Sequence, residues 1–434
     1  MATAFFRIAY EFLSGHSLLA RALLLAALTL TLKVPLTLMG SIVTDRQIYE
    51  EEAVKSIMRS WAKSQTFTGP RILVPSKDQN SLRKLVLLPR KLSISGDVAP
   101  EQRRRGLFSV TVYRANLNVV AEFDARALRG ASAEGEELDW RGARLLAGVS
   151  EERSLSFETV DIDGQPIEWI PDGVHTLASL QASLASIDPA ARDTLTVRFR
   201  IAFAGSDSLS IVPIGQRTDV TLVSSWRSPS FIGPYLPESQ TVTREGFQAS
   251  WTTSSLGRGY GQVWGQTSGD KPEKVAVLRS AFGVALINPV DAYRETDRAI
   301  KYGVLFIGLT FAACLLFELA TGTRPHALQY GPIGLSLCVF YLLLLSFAEQ
   351  IGFGPAYLAS AAAVAAQGAV YTGAVQRRVL PGLAFGALLG VLYASLYALL
   401  QLEDVALLSG SLLLFVLLSL AMWFTRNLHR TQPA

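Results

Sequence analysis

Residues 298–319 read RAIKYGVLFIGLTFAACLLFEL, and the change of character inside them decides the fold. From Tyr302 to Leu319 the stretch is apolar for about the length a membrane span requires, roughly 20 residues at a helical rise of about 1.5 Å each. The remainder of the chain is of the same kind, with apolar runs at about Tyr330 to Phe347, Phe353 to Val375, Val379 to Leu400 and Val405 to Phe424. Towards the N-terminus from Arg298, no comparable run is met until about Leu18 to Met39. The chain is therefore expected to be an α-helical polytopic membrane protein of about six transmembrane helices. One large water-facing domain is inserted between helices 1 and 2.

Lys and Arg are retained on the cytoplasmic side of short loops, whereas acidic residues carry little topological weight. Arg7 and Arg21 stand at the start of the first run, Arg324 and His326 between the second and third, Arg377 and Arg378 between the fourth and fifth, and Arg426 and Arg430 after the sixth. The alternate loops hold Glu349 in one and Glu403 with Asp404 in the other. Both termini are expected in the cytoplasm and the large domain outside it. The divisions fall at residues 1–43, 44–297 and 298–434. Only Arg298 and Lys301 oppose the rule, and they come after a long domain that the rule weights lightly.

The first run is interrupted by Lys33 and continues into Leu38-Met39-Gly40-Ser41, which lacks a small-x-small cleavage pattern, so an uncleaved anchor is expected rather than a signal peptide. Lys33, about six residues from the expected outer end of its span, either snorkels to the interface or faces an inward partner. Glu318 and Glu349 fall at span ends and read as interfacial anchors. No acidic residue sits near the middle of a span, which counts against proton or sodium coupling. Gly382, Gly386 and Gly390 form a helical stripe that permits close approach by another span.

Composition fits this division: half of the 434 residues are hydrophobic and mean hydropathy is +0.29. A net charge of +4 does not point to nucleic acid as a partner. The two cysteines, Cys314 and Cys338, lie in expected spans, so the water-facing domain must be held by a core rather than by disulfides.

After the first run, Ile48, Val54, Ile57, Met58 and Trp61 recur at helical spacing, predicting an amphipathic helix capped at Thr44 or Asp45. Gly69-Pro70 is expected to break the chain before strands begin. Residues 195–203 alternate apolar and polar, the clearest strand. Leu117, Val119, Ala121 and Phe123 alternate too, as do Phe108, Val110 and Val112, but the phase flips near Arg114, which predicts a bulge. Asp161-Ile162-Asp163-Gly164 reads as a hairpin turn, and residues 175–187 as a short helix bearing Leu177, Leu180, Leu184 and Ile187 on one face. Further alternation near Ile211, Leu222 and Trp251 makes the domain mainly antiparallel β, with an α+β character.

Chemistry is sparse. No metal set, nucleophile elbow or phosphate loop is found, so no catalytic, cofactor-binding or metal-binding residues are assigned. Asp161-x-Asp163-Gly164 lacks the spacing of a calcium loop. Gly257-Arg258-Gly259-Tyr260-Gly261 reads as a mobile loop. Arg103-Arg104-Arg105 reads either as a solvated turn after Pro100 or as a site for anionic headgroups. Asp297, Arg298 and Lys301 form a candidate junction before the second span, with Asp291 or Glu295 in helical reach of Arg298 and Asp297 in reach of Lys301. That stretch is expected to be held by the water-facing domain or by lipid headgroups, either as an interfacial anchor or as a mechanical link.

A set of ordered motifs carries a resemblance. They are Val212-Pro213-Ile214-Gly215, Ser225-Trp226 with Pro229-Ser230-Phe231, Leu236-Pro237, Gly246-Phe247-x-Ala249-x-Trp251, Phe282-Gly283-Val284, Asn288-Pro289-Val290-Asp291-Ala292-Tyr293, residues 298–311, Gln329-Tyr330 and residues 340–346. Together they resemble the CreD family of bacterial inner-membrane proteins from Gly69 to Arg426. The resemblance implies a periplasmic location for the β domain and a role in cell-envelope integrity under a sensor-kinase system, with no reaction to carry over. The family's histidine after the glutamate is replaced here by Gln350. The leading expectation is a non-enzymatic envelope protein whose periplasmic domain binds or braces an envelope component or membrane protein. The alternative is a transporter or lipid-handling protein using the C-terminal helices.

Overall fold

The computed structural model describes residues 18–77, 84–106, 108–127, 137–152, 154–173, 177–187, 192–266, 271–286, 292–321 and 329–401, with Ser411, Phe415, Ser419 and Met422 beyond them. Two compact units emerge, one of residues 52–289 and one of residues up to 51 together with 290 onward.

The second of these units is helical. Its elements are α1 (Leu18–Ser60, whose last residues belong to the other unit), α3 (Ala292–Lys301), α4 (Gly303–Thr321), α5 (Tyr330–Ile351), α6 (Phe353–Gln376) and α7 (Val379–Gln401). Four of these, α1, α5, α6 and α7, are long and apolar enough to cross a bilayer, and α3 with α4, bent by 49°, makes a fifth if the pair is one span rather than a re-entrant loop. The bend falls beside Tyr302, where the apolar run begins. The sixth expected span, Val405 to Phe424, lies outside the continuously described residues.

At 43 residues α1 is about 65 Å long, roughly twice the hydrocarbon thickness, because the amphipathic stretch after the first run continues the same helix. The expected cap is absent for that reason: Thr44 and Asp45 lie inside α1, and the Thr44 hydroxyl donates to the Gly40 carbonyl at 3.1 Å. Aromatic rings fill the interior of the bundle, with Phe340 packed on Tyr357 and Tyr393 at 5.3 and 4.6 Å between centroids.

The other unit is a β domain. Its strands are β1 (Gln65–Pro75), β2 (Lys84–Leu87), β3 (Lys91–Arg105), β4 (Phe108–Asp124), β5 (Arg144–Gly148), β6 (Ser156–Phe157), β7 (Val160–Ile162), β8 (Gln165–Ile167) and β9 (Ile170–Pro171). Then come β10 (Leu180–Ser183), β11 (Thr194–Ser206), β12 (Ser208–Val212), β13 (Arg217–Ser224), β14 (Pro229–Ile232), β15 (Ser239–Thr243), β16 (Gly246–Ser254), β17 (Val263–Gln266) and β18 (Phe282–Leu286), with a short helix α2 (Lys271–Arg279) before the last. Among the described residues they form two nine-stranded sheets. One runs β14-β18-β12-β1-β5-β10-β9 with β2 and β17 attached, the other β15-β16-β13-β3-β4-β11-β7-β8 with β6 attached to β11. Both sheets are mixed, since β1 pairs with β12 and β3 with β13 in parallel. Apolar residues of both sheets share one buried core, in which Trp251 meets Phe231 and Phe282 at 5.7 and 5.6 Å. Three of the motifs behind the family resemblance thus supply one aromatic cluster.

Several local expectations are corrected. Gly69-Pro70 does not precede the first strand but lies within β1, where the register against β5 shifts between Thr68 and Arg71. The short helix expected over residues 175–187 is replaced by β10, whose Leu180 and Ala182 are buried at strand spacing; residues 174–176 are outside the described set. β4 has no bulge at Arg114, because its register against β3 and β11 is unbroken. The phase flip has another cause. Tyr113, Ala115 and Leu117 face the shared core, while Val110 and Val112 face the opposite side and form a second cluster with Ile57 of α1. The strand is apolar on both faces where a helix covers its back.

Candidate functional site

Two ion pairs tie α1 to the helices of its unit. The Arg21 guanidinium donates to Glu318 of α4 at 3.1 Å, and Arg46 meets Glu349 of α5 at 3.3 Å. Tyr293 of α3 also donates its hydroxyl to Glu349, at 3.0 Å. Both carboxylates are nearly buried, with side-chain exposures of 6% and 8%. Arg21 and Arg46 are 25 residues apart, about 38 Å along a helix, which exceeds the roughly 30 Å of hydrocarbon between bilayer interfaces. That separation is compatible with Glu318 and Glu349 standing at opposite ends of spans.

The junction residues lie close together on α3. Lys301 pairs with Asp297 at 2.6 Å, one helical turn away. Arg298 donates to the Leu400 carbonyl at 3.1 Å, at the C-terminal end of α7, where a helix leaves carbonyls without partners and carries partial negative charge. Sequence spacing could not find that contact, which crosses 102 residues. Asp291 lies outside the described residues.

The glycine stripe is not uniform. A Cβ at Gly382 would stand 2.5 Å from the Ala369 carbonyl, and one at Gly386 would stand 2.8 Å from the Ala369 Cβ, so both let α7 approach α6. Among the described residues, nothing lies within 4 Å of a Cβ at Gly390.

In the β domain, the outer face of β4 and β11 carries an open groove lined by Asn116, Asn118, Ser156, Phe157, Glu158 and Arg200. Alternation places it there. Asn116 pairs with Ala202 and Asn118 with Arg200 across the ladder, while their neighbours Leu117, Val119, Phe199 and Ile201 point into the core. β6 builds the wall by pairing Phe157 with Ile201. The groove offers two amides, one cation, one anion and a half-exposed ring, a set suited to hydrogen-bonding an extended polar ligand.

Other polar residues of this domain are structural. Arg258, expected from sequence to sit in a mobile loop, is buried, and its guanidinium donates to the carbonyls of Pro213, Ile214 and Gly215 and to Gln262. The Val212-Pro213-Ile214-Gly215 motif is its receptor. Arg71 is buried, and desolvation lowers its guanidinium to about 10 against the opposing influence of Asp172. Arg103 to Arg105 are not a simple turn: they end β3, with Arg103 stacked 4.5 Å over the Trp61 ring and Arg105 donating to Ser56. Asp163 of the hairpin turn accepts from Arg192 at 2.6 Å and from the Thr196 amide of β11 at 2.9 Å. Among the described residues no group of three or more His, Cys, Asp or Glu is placed to hold a metal.

The family model described as "Inner membrane protein CreD" matches residues 17–430. Inner membrane protein CreD of Escherichia coli (strain K12) is 31% identical over 422 residues, covering 92% of this chain and 90% of that one. Among solved structures, the M1 zinc metallopeptidase from Deinococcus radiodurans aligns over 71% of this chain and 87% of its own at 10% identity, with a TM-score of 0.18. A score that low establishes no common fold.

Proposed function

This chain belongs to the CreD family of inner membrane proteins, and from that premise we propose that it supports cell-envelope integrity without catalysing a reaction. In this reading residues 44–297 stand in the periplasm, residues 1–43 and 298–434 supply the spans and cytoplasmic ends, and the β domain binds or braces an envelope component. The observation that carries it is the open groove on β4 and β11, whose amides, charges and ring are arranged to hold a polar chain rather than to activate a nucleophile. Asn118→Leu combined with Arg200→Glu should abolish the envelope protection that the wild-type gene restores to a deletion strain, at equal protein abundance. Full protection by that double variant sinks the reading.

A second reading, a transporter or lipid-handling protein built on the C-terminal helices, draws support from the close α6–α7 approach at Gly382 and Gly386. Substrate flux in liposomes carrying the purified protein decides for it.

A further inference from the structure

A recess opens among α4, α5, α6 and α7, and two of the residues that line it, Glu318 and Tyr330, each carry a side-chain oxygen without a hydrogen-bond partner. Glu318 is 6% exposed and commits one carboxylate oxygen to Arg21, while its other oxygen, Oε1, is buried without a partner. The Tyr330 hydroxyl, on a residue 4% exposed, is likewise buried and unpartnered. Both residues line the recess, and Ile333, Val375 and Phe385 supply apolar wall. A buried acceptor without a donor is costly in a low dielectric, so this arrangement is stabilised by whatever brings donors to it.

The chemistry narrows the occupant. Glu318 is the one carboxylate lining the recess among the described residues and is shared with Arg21, so the ligand set a metal dication needs is not assembled there, and its open oxygen excludes an anion. It accepts an N–H or O–H. The Tyr330 hydroxyl, on a residue lining the same recess, is a second oxygen able to accept. A protonated primary amine presents three donors on one compact centre, whereas a quaternary ammonium presents none. The apolar wall calls for a hydrocarbon body behind that head.

We propose that the recess beside Glu318 and Tyr330 binds the protonated primary amine of an amphiphile. This goes beyond the envelope role of the β domain and does not depend on it. Such an amine comes either from a phospholipid headgroup or from a free alkylamine, and the two are separable. The full-length protein, delipidated in detergent, is titrated with phosphatidylethanolamine, with phosphatidylcholine of the same chains and with an alkylamine, and bound species are counted by native mass spectrometry. Phosphatidylethanolamine should bind about tenfold or more tightly than phosphatidylcholine, the scale of a charge-assisted hydrogen bond. Glu318→Gln and Tyr330→Phe should each reduce that preference. Alkylamine binding as tight as that of the lipid assigns the site to free amines, and lipid binding alone assigns it to the headgroup. Equal affinity for the two phospholipids overturns the proposal in the wild-type protein, with no variant needed. A preference that survives in both variants overturns it too.

Discussion

Lys33 shows how a single side chain reads differently once its surroundings are fixed. It is exposed on α1, which gives no support to an inward partner among the described residues. It also lies 12 residues from Arg21 and 13 from Arg46, near the midpoint between the two anchored ends. Its stem reaches roughly 6 Å, well short of either interface at that depth. A lysine at a helix centre costs about 2.5–3.5 kcal/mol on insertion, whereas a leucine is slightly favourable. Lys33→Leu should therefore improve insertion of the isolated 18–46 segment by about 3 kcal/mol in a glycosylation-mapped reporter; a change near zero would restore the snorkelling reading. Arg258 carries a different kind of cost. Its Nη1 donates among the carbonyls of Pro213, Ile214 and Gly215, of which Pro213 also accepts from the Tyr260 hydroxyl, and a buried carbonyl left without a donor costs about 1–3 kcal/mol. Arg258→Leu should destabilise that domain by about 3 kcal/mol or more in thermal melts of the purified protein. Lysine should rescue only part, because it lacks the second guanidinium nitrogen that donates to Gln262 while the first serves the carbonyls.

Among the helices and strands, the α6–α7 contact is the most sharply testable. Leucine at Gly382 or Gly386 would drive a side chain into α6, whereas among the described residues a Cβ at Gly390 meets nothing within 4 Å. Gly382→Leu and Gly386→Leu should each lower the melting temperature of the detergent-solubilised protein, and Gly390→Leu should leave it nearly unchanged; equal effects at all three would show that the stripe acts through something other than the α6 contact. The same contrast explains what is legible in the sequence. The spans at α5, α6 and α7 announce themselves, because a run of apolar residues between polar ones needs no partner to be recognised. β11 and the β7–β8 hairpin are equally plain: alternation and an Asp-Gly turn are local signals, and the turn adopts positive φ at both Asp163 and Gly164. β10 is hidden because Leu180, Leu184 and Ile187 match a helical face while strand pairing with β5 overrides that local pattern. The phase flip in β4 is visible in the sequence but its cause is not, since only the placement of Ile57 reveals a second buried face. In the candidate site, the pairing of Asp297 with Lys301 is legible from spacing, but Arg46 with Glu349 joins residues far apart in sequence and is not.

The orientation of the chain in the membrane rests on charge. Basic residues cluster in the loops at Arg324 and at Arg377-Arg378 and at the chain ends, while the alternate loops carry acids, and that asymmetry rather than any contact supports the proposed orientation. The bent entry at Tyr302 does not bear on it, because a kinked span is equally compatible with either direction. A chemical test can be built on the two cysteines, both of which are buried and can be removed as Cys314→Ser and Cys338→Ala. In that background a new cysteine replaces either Val242, 49% exposed on β15, or Arg377, between α6 and α7. A membrane-impermeant maleimide applied to intact cells should modify the cysteine at 242, and the one at 377 only after the membrane is permeabilised. The opposite pattern would invert the topology and remove the β domain from the envelope side. Adding Arg298→Gln and Lys301→Gln should leave the labelling unchanged, because charges that come after a long domain weigh little in orientation. If that double variant is also fully protective in a deletion strain, the junction is an interfacial anchor; if protection is lost at normal abundance and unchanged labelling, the junction does mechanical work as well.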